Sequence, residues 1–302
     1  MLLAFDDEAA FATCLAAAIG VPLAIIERHR FPDGETRLRL PAHLPPAVVL
    51  LRGLQDPNAK LTELLLAAAG ARELGAQQLT LVSPYLAYMR QDLAFTPGEV
   101  VSQRHIGRLL AAAFDAVVTV DPHLHRVSTL DEVVPGRRGV ALSAAVLLGG
   151  LVAAQVPGAL LLAPDEEAGQ WVRAAAAAHG LDHAVCRKTR HGDRDVVVSM
   201  PSLDDPASSA AADLSGRHVV LLDDVASTGR TLAAAAAAAL RHGALQVDVA
   251  VSHALFIGDA LSQVHAAGVG RVWSSDCIAH PTNTVSVVPL IAAALQALDR
   301  PL

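Results

Sequence analysis

Short apolar runs alternate with longer runs rich in alanine and leucine from one end of the chain to the other. The short runs are apolar at successive positions, which is typical of strands buried on both faces of a parallel sheet. The longer runs have the length of helices, so the alternation predicts an α/β fold with helices on both sides of each sheet. The predicted strands are 47–51, 79–83, 116–120, 159–163, 183–187, 219–223, 247–252 and 271–274, and the predicted helices include 61–74, 102–114, 144–154, 170–179, 230–241 and 259–267.

The composition makes a membrane protein the first alternative to exclude. Of the 302 residues, 53% are hydrophobic and only 18% are charged. A membrane span needs about 18 uninterrupted apolar residues, and the best candidate, 140–164, is broken by glycine, glutamine and proline. The start of the chain also lacks the basic region of a signal peptide. We therefore expect a cytoplasmic protein without membrane contact.

Charge and cysteine content exclude further classes. The net charge is −7 and no basic run occurs, so nucleic acid is a poor candidate partner. Cys14, Cys186 and Cys277 are too scattered for a disulfide frame or a zinc site, and we expect them in the core. Of the 23 basic residues, only Lys60 and Lys188 are lysines. A lysine is a compact point charge that arginine does not replace well.

The length suggests two domains, and the sequence contains a weak internal repeat. The segment 74–83 is similar to 242–252 when a gap of one residue is allowed. In each, an alanine-rich helix ends at a glycine and a strand ending in Val-Ser follows. Either the similarity is due to chance, or the chain contains two copies of one α/β domain joined near 140–143. We place the domain boundary between 142 and 143, and we expect the last helix to pack back on the first domain.

The segment 218–232 has the most specific pattern for chemistry. A buried strand leads into Asp223 and Asp224, and then into a turn of small and hydroxyl residues before a long alanine-rich helix. Backbone N–H groups, hydroxyls and a helix N-terminus that point to one place bind anions. The two carboxylates are suited to the vicinal hydroxyls of a sugar attached to a phosphate. An acidic strand end followed by an ordinary helix cap is the alternative. No GxxxxGK[ST] loop occurs in the sequence.

This segment resembles the phosphoribosyl-pyrophosphate-binding signature of the type I phosphoribosyltransferase fold. Other segments resemble those of ribose-phosphate pyrophosphokinases in the same order along nearly the whole chain. The resemblance implies an α/β protein with two tandem phosphoribosyltransferase-like domains, each a mainly parallel sheet covered by helices. The matching segments are Phe-Pro-Asp-Gly-Glu at 31–35, Arg-Gln-Asp at 90–92, Asp-Pro-His at 121–123, Pro-Asp at 164–165, Lys-Thr-Arg at 188–190 and the C-terminal stretch 276–290.

Without the resemblance, each of these segments has an ordinary interpretation. The segment 31–35 contains residues typical of a β-turn. The segment 90–92 is typical of a solvated loop, and 188–190 is typical of an exposed turn that opens a polar hairpin. His123 is one of 13 histidines and alone is more often structural than a ligand. It follows a predicted strand at the end where open α/β sheets bind ligands, and His125 is a competing candidate.

The resemblance assigns a role to each candidate residue. In the family, the 31–35 loop contacts the adenine of ATP across a subunit interface, and Lys-x-Arg belongs to a catalytic loop. The implied roles are ATP binding by Phe31, Asp33, Glu35, Arg90, Gln91, Asp92 and His123; ribose-phosphate binding by Asp223, Asp224, Ser227, Thr228, Gly229 and Thr231; metal binding by His123 and Asp165; and catalysis by Lys188 and Arg190.

The implied activity is transfer of the pyrophosphoryl group of ATP to C1 of ribose 5-phosphate, with Mg²⁺ as cofactor. The implied assembly is a homodimer or a higher homo-oligomer. Two other functions stay open: a noncatalytic regulatory homologue of such a synthetase, and a nucleobase phosphoribosyltransferase. The second gives no role to 31–35 or 90–92. Glu166, Glu167 and Arg230 depart from the family's pattern, and they bear on sugar-phosphate specificity and on regulation by phosphate or ADP.

Overall fold

The computed structural model describes residues 1–191, 195–200 and 213–298, and for 188–191 and 195–199 it describes the backbone alone. The strands are β1 (Leu2–Phe5), β2 (Leu23–Arg30), β3 (Thr36–Arg39), β4 (Ala47–Leu51), β5 (Gln78–Ser83), β6 (Ala116–Val120), β7 (Arg138–Leu142), β8 (Leu160–Ala163), β9 (Asp182–Val185), β10 (Arg187–His191), β11 (Asp195–Ser199), β12 (His218–Ala226), β13 (Gln246–Ala254), β14 (Val269–Ser275) and β15 (Asn283–Val285). The helices are α1 (Ala9–Ile19), α2 (Pro57–Glu73), α3 (Ser102–Ala113), α4 (Leu130–Val133), α5 (Ala145–Gln155), α6 (Gly169–His179), α7 (Arg230–Arg241), α8 (Ala260–Ala266) and α9 (Val288–Leu298).

These elements form two compact units. The first comprises Met1–Leu142 and the C-terminal segment that begins at Val287, and the second comprises Ser143–Ser286. Helix α9 therefore belongs to the first unit, where it contacts α1.

The first unit is built on one sheet with the strand order β3-β2-β1-β4-β5-β6-β7. Strands β2 and β3 pair antiparallel, and the other described pairs are parallel. One face packs Leu3, Leu50, Leu81 and Val117 against α2 and α3. Strands β4, β5 and β6 are apolar on both faces because they lie in the middle of a sheet with two covered faces.

The second unit contains a sheet with the order β15-β14-β13-β12-β8-β9, whose described pairs are all parallel. Strands β10 and β11 form a separate antiparallel pair. The core on one face consists of leucine and valine from β8, β12 and β13 packed on the alanines of α7. Alanine allows the helix to approach the sheet closely, which accounts for much of the high hydrophobic fraction of the composition.

The two sheets share their strand order. Strands β2-β1-β4-β5-β6-β7 of the first unit correspond in sequence and in space to β9-β8-β12-β13-β14-β15 of the second. The repeat found at 74–83 and 242–252 lies at the end of α2 and β5 and at the end of α7 and β13, so it occupies equivalent places. Gly75 (φ 118°) and Gly243 (φ 91°) make the same left-handed turn. The shared order favours two copies of one domain over a chance similarity.

The predicted α/β class with two tandem, mainly parallel sheets is confirmed. Strands 47–51 and 116–120 and helix 230–241 have the predicted bounds. Within the described ranges, none of the helices is both long enough and apolar enough to cross a membrane.

Two local predictions were wrong. The predicted strand 183–187 ends at Val185 as β9, and Arg187 starts β10. The antiparallel pairing of β10 with β11 confirms the hairpin predicted here, but the backbone of Lys188 and Arg190 lies on its first strand and not in a turn. Pairing with β11 extends this strand, because Lys188 is opposite Val198 and Arg190 is opposite Val196. Cys14 is exposed on α1, whereas Cys186 and Cys277 are buried as expected.

Candidate functional site

In the second unit, acidic side chains gather at the carboxyl ends of two neighbouring strands. The parallel register of β8 and β12 places Leu162 opposite Leu221. Continuing that register brings Pro164 level with Asp223, and Asp165 level with Asp224. The predicted metal residue Asp165 and the predicted sugar-binding pair therefore meet at one edge of the sheet, where open α/β sheets bind ligands.

Three carboxylates repel one another at this edge when no ligand is bound. Burial raises the pKa of Asp223 well above its usual range, and the neighbouring carboxylates of Asp224 and Asp165 raise it further. An oxygen of Asp223 accepts a hydrogen bond from the backbone N–H of Asp224 at 2.9 Å, which offsets part of this effect. Buried like charges favour either a shared proton or a positively charged ligand.

The turn after β12 is held by steric constraints around one glycine. Gly229 has φ 71° and is the N-cap of α7. A Cβ atom at this position would lie 2.9 Å from Val264 Cγ2 and 3.0 Å from the carbonyl oxygen of Ala260. Both its φ angle and this close approach therefore require glycine. The turn thus presents Thr228, which is exposed, and the half-buried Ser227 and Thr231 at the N-terminus of α7.

A second segment, which the sequence pattern does not predict, supports this turn from the other side. The backbone N–H groups of Leu255 and Phe256 donate to the carbonyl of Ala226 at 3.1 and 2.9 Å, and that of Ile257 donates to the carbonyl of Ser227 at 3.0 Å. Phe256 has φ 36°, which is strained for an aromatic residue. A backbone strain of this kind has no marker in the sequence.

The residues that depart from the family's pattern lie at the rim of this site. Glu166, Glu167 and Arg230 are all exposed. Asp165 itself accepts a hydrogen bond from the backbone N–H of Ala168 at 3.1 Å, which fixes the turn that carries them. Water screens exposed charges, so the two glutamates repel an anion at the turn only weakly.

In the first unit, Phe31, Asp33 and Glu35 lie on the turn between β2 and β3. The N–H of Phe31 donates to the carbonyl of Glu35 at 2.8 Å, and Asp33 accepts from the N–H of Glu35 at 3.1 Å. Gly34 has φ 97°, as this tight turn requires. The Phe31 ring is 38% exposed and meets His29 edge to face. All three side chains are exposed in the single chain and available to a ligand.

The predicted residues Arg90, Gln91 and Asp92 follow β5. Arg90 is exposed, the Gln91 side chain donates to the carbonyl of Leu93 at 3.2 Å, and the Asp92 carboxylate lies 3.5 Å from the Arg126 guanidinium. Within this segment Arg90 therefore has the most accessible charge.

His123 and its competitor His125 lie together in the structure. They follow β6, and His125 Nε2 lies 3.1 Å from His123 Nδ1. The two rings meet edge to face with centroids 4.0 Å apart. Asp121, at the strand end, has φ 38° and turns the chain so that both imidazoles share this place. The sequence left open which of the two histidines is the candidate, and the structure places both at the same site.

The structure brings some of the first unit's candidates together and leaves others apart. Strands β5 and β6 are neighbours, and Asp92 lies 3.5 Å from Arg126, so the segments that follow these strands and carry 90–92 and His123 are close to each other. The 31–35 turn follows β2, which is separated from β5 by β1 and β4. Three strand spacings amount to roughly 14 Å, so within one chain this turn is remote from the other predicted nucleotide residues. The side chains of Lys188 and Arg190 lie outside the described residues.

The chemistry of the available ligands decides which metal each place suits. Carboxylate oxygens at the end of β8 and β12 are the ligands that Mg²⁺ prefers, usually through a partly retained water shell. The imidazole pair of His123 and His125 is better suited to a transition metal than to direct contact with Mg²⁺. The residues of the second unit therefore fit magnesium, and the histidines fit contact with its water shell or with phosphate.

Comparisons with known proteins cover nearly the whole chain. Residues 1–113 match the family model of the N-terminal domain of ribose phosphate pyrophosphokinase, and residues 155–265 match the phosphoribosyl transferase domain. The ribose-phosphate pyrophosphokinase of Methanopyrus kandleri is 34% identical over 303 residues, which cover 99% of each chain. That of Halobacterium salinarum is also 34% identical, over 98% of this chain and 100% of the relative.

A solved structure has the same fold. The phosphoribosylpyrophosphate synthetase from Mycobacterium smegmatis superposes with a TM-score of 0.84 over 99% of this chain and 98% of its own. Its sequence identity is 23%, so the likeness establishes the arrangement of the strands and helices and leaves the roles of individual residues open.

Proposed function

The chain belongs to the ribose-phosphate pyrophosphokinase family, and from this premise we propose which residues perform each part of the family's reaction. The enzyme transfers the pyrophosphoryl group of ATP to C1 of ribose 5-phosphate and releases AMP. The site is supported best by the proximity of an acidic pair to a helix N-terminus. Asp223 and Asp224 lie near the end of β12, and only a short turn separates that strand from the start of α7.

Ribose 5-phosphate binds at the turn after β12. The 5-phosphate accepts hydrogen bonds from the N-terminal N–H groups of α7 and from the hydroxyls of Ser227, Thr228 and Thr231, while Gly229 allows the phosphate to approach the backbone. Asp223 and Asp224 accept hydrogen bonds from the ribose hydroxyls. A sugar with two neighbouring hydroxyls can donate one hydrogen bond to each carboxylate, which supports binding of the ribose ring beside Asp223 and Asp224.

ATP binds on the first unit. Arg90 and Gln91 contact the nucleotide, Asp92 keeps Arg126 beside it, and His123 contacts the phosphates. The 31–35 turn of one subunit supplies Phe31, Asp33 and Glu35 to the adenine bound by another subunit. The separation of this turn from 90–92 within one chain supports contact between subunits, and a homodimer is then the smallest active assembly.

The chemical step needs alignment and neutralisation of charge more than covalent work by the protein. The C1 hydroxyl oxygen forms a bond to the β-phosphorus of ATP while the bond from that phosphorus to the oxygen of the α-phosphate breaks. AMP leaves with the electron pair, and the hydroxyl proton is lost to solvent. Lys188 and Arg190 would supply positive charge to the β-phosphate and stabilise the negative charge of the transition state.

Magnesium supplies positive charge that neutralises the triphosphate. Asp165 and the Asp223–Asp224 pair would hold it on the second unit, and His123 would contact its water shell. The raised pKa of Asp223 supports a cation at this place, since a cation removes the repulsion among the three carboxylates.

Neither alternative function is favoured by an observation. A nucleobase phosphoribosyltransferase does not explain why 1–113 match the pyrophosphokinase N-terminal domain. A noncatalytic homologue does not explain why the chain has the residues of the family's catalytic and substrate-binding segments. These residues include Lys188, Arg190, His123, Asp223 and Asp224. A cytoplasmic location is supported by the three free cysteine thiols, because disulfides are rare in reducing compartments.

Replacement of the second lysine of the chain tests the catalytic assignment. Lys188→Ala is expected to lower kcat by about 100-fold, while KM for ATP and for ribose 5-phosphate changes little. Thr189→Ala, at the neighbouring position of β10, is the matched control and should keep normal turnover. Turnover of Lys188→Ala equal to that of the control would remove Lys188 from the mechanism.

A further inference from the structure

The hairpin that carries the 31–35 turn extends beyond the strand that supports it. Strand β1 pairs with β2 from Leu2 opposite Leu23 to Phe5 opposite Ile26, and there the pairing ends. Residues 27–30 of β2 pair only with β3 among the strands that the structure describes. An edge hairpin without a further strand beside it is easily displaced. Its orientation therefore depends on side-chain contacts.

Arg28 makes such contacts. It lies in the projecting part of β2, three residues before Phe31. Its guanidinium lies 2.8 Å from the Asp6 carboxylate, which follows β1, and 3.1 Å from the Glu63 carboxylate on α2. One side chain thus links the hairpin to two elements of the unit's body. The Coulomb attraction of Glu63, Asp7 and Asp6 raises the pKa of Arg28 against the opposing effect of burial.

Arg52 holds Glu63 in place beneath this contact. Its side chain is fully buried, and it lies 2.5 Å from Glu63, 2.6 Å from Asp7 and 3.1 Å from Glu8. Its guanidinium also stacks over the Phe5 ring at 4.3 Å. A carboxylate shared by two arginines has little freedom to rotate, so Glu63 is a fixed anchor for Arg28.

The position of Arg52 is the counterpart of the sugar-binding position in the second unit. Val-Val-Leu-Leu precedes Arg52 on β4 and precedes Asp223 on β12, and Leu-Leu-Ala occurs on both β1 and β8. The registers agree, because Leu3 is opposite Leu50 and Leu162 is opposite Leu221. Where the second unit has an acid, the first has an arginine surrounded by acids. The end of β4 therefore carries an internal ion-pair network centred on Arg52.

A pocket of about 390 Å³ lies beside this network. Its charged lining consists of four basic and three acidic side chains, namely Arg28, Arg30, Arg52, Lys60, Asp7, Asp56 and Glu63. These charges nearly cancel, so the pocket has no strong field for an anion. Lys60, the other lysine of the chain, donates to the carbonyl of Gly53 at 3.1 Å and so supports the turn after Arg52.

We propose that Arg28 is a positioning residue for ATP: its contacts with Glu63 and Asp6 fix the projecting hairpin so that Phe31, Asp33 and Glu35 meet the adenine. This inference rests on the nucleotide role proposed above for the 31–35 turn. Arg28 itself lies outside the nucleotide site and acts through the orientation of the turn.

The matched pair Arg28→Met and Arg39→Met tests the proposal. Methionine keeps an apolar stem and removes the charge. Glu63 keeps Arg52 as a partner in Arg28→Met, so the variant should fold. Arg39 lies on the same hairpin, and its ion pair with Glu27 at 3.4 Å is exposed, so Arg39→Met should behave as wild type. We expect Arg28→Met to raise KM for ATP about 10-fold, which corresponds to about 1.4 kcal/mol. KM for ribose 5-phosphate should stay within about 2-fold.

A double variant shows whether Arg28 acts through the turn. Phe31→Ala should raise KM for ATP, and adding Arg28→Met to it should raise KM little further, because residues that act through one contact are not additive. Arg28→Lys should recover part of the loss. If Phe31→Ala leaves KM for ATP unchanged, the proposed nucleotide role of the turn is wrong. If Phe31→Ala raises it and Arg28→Met does not, or if Arg28→Met raises both KM values equally, the positioning role of Arg28 is wrong.

Discussion

At the scale of one residue, Asp223 is expected to lower the stability of the folded protein. The carboxyl group is surrounded by Asp224 and Asp165 in a site that excludes much of the water, and its pKa is raised well above the usual range. An acid of this kind keeps its proton in the folded protein at pH values where the unfolded chain has already lost it. Stability therefore falls as pH rises between the unfolded and the folded pKa.

Replacing this acid by its amide should stabilise the protein and abolish its activity. Asp223→Asn removes the repulsion among the carboxylates, and each unit of raised pKa corresponds to about 1.4 kcal/mol. We expect the free energy of unfolding at neutral pH to increase by about 1 kcal/mol or more. Chemical denaturation measures this increase, and it should vanish below about pH 4, where the carboxyl is protonated in both states.

The control for this prediction is Glu166→Gln, which changes an exposed carboxylate at the same edge. Its stability should stay within about 0.5 kcal/mol of wild type at every pH. Equal effects of the two variants would mean that net charge, and not the crowding at Asp223, determines the stability.

Gly229 allows a similar comparison for the backbone. Gly229 and Gly216 have φ 71° and 69°, and a Cβ atom at Gly216 would meet nothing within 4 Å. Gly216→Ala should cost only the left-handed strain of about 1 kcal/mol. Gly229→Ala adds the clash with Val264 and Ala260, so it should cost about 2 kcal/mol more and also raise KM for ribose 5-phosphate. Equal melting temperatures for the two variants would contradict the proposed close approach.

At the scale of elements, two glycines within helices differ in how closely they are packed: Gly107 is crowded and Gly70 has free space around it. A Cβ atom on Gly107 in α3 would lie only 1.9 Å from the carbonyl oxygen of Val133, whereas one on Gly70 in α2 would meet only Leu40 at 3.9 Å. The contact between α3 and α4 is therefore a backbone-to-backbone approach that no other side chain permits. Helix α2 has ordinary side-chain packing at the corresponding place.

Alanine at these two positions should change stability in opposite directions. Gly70→Ala should stabilise by about 0.5–1 kcal/mol because alanine has the higher helix propensity. Gly107→Ala should destabilise by about 3 kcal/mol or more because α4 must move. Thermal unfolding monitored by circular dichroism measures both changes, and stabilisation in both variants would show that α3 and α4 are not in close contact.

The elements that the sequence predicted well share one physical property. Central strands such as β4 and β6 are buried on both faces, so their apolar runs are continuous and their bounds are clear. The edge strand β3 alternates charged and uncharged residues, and β2 is apolar at 23–26 but polar at 27–30. Neither strand was predicted, because neither has an apolar run that extends over its whole length. The short β1 was also missed, since a single run of four apolar residues cannot be distinguished from the start of a helix.

The candidate site was predictable to the extent that its residues are close in sequence. Asp223, Asp224 and the following turn occur within a few residues, and their chemistry was therefore clear from the pattern alone. The network of Arg28, Arg52 and Glu63 joins a strand, a strand end and a helix. Its members have no common spacing, so only the fold reveals it.

At the scale of the whole molecule, two copies of one strand order have different chemistry at equivalent places. In the second unit the strand end carries acids suited to a sugar, and in the first it carries a buried arginine. The family relationship covers both units over nearly the full chain. The central claim is therefore that the enzyme transfers a pyrophosphoryl group, and does not transfer a single phosphoryl group or attach a nucleobase.

Identifying the products of one reaction tests this claim most directly. The purified protein is incubated with Mg²⁺, ATP and ribose 5-phosphate, and AMP, ADP and 5-phosphoribosyl 1-pyrophosphate are quantified by anion-exchange chromatography. We predict equal amounts of AMP and 5-phosphoribosyl 1-pyrophosphate, and neither product when ribose 5-phosphate is omitted. Formation of ADP in place of AMP, or ATP binding without any product, would contradict the account.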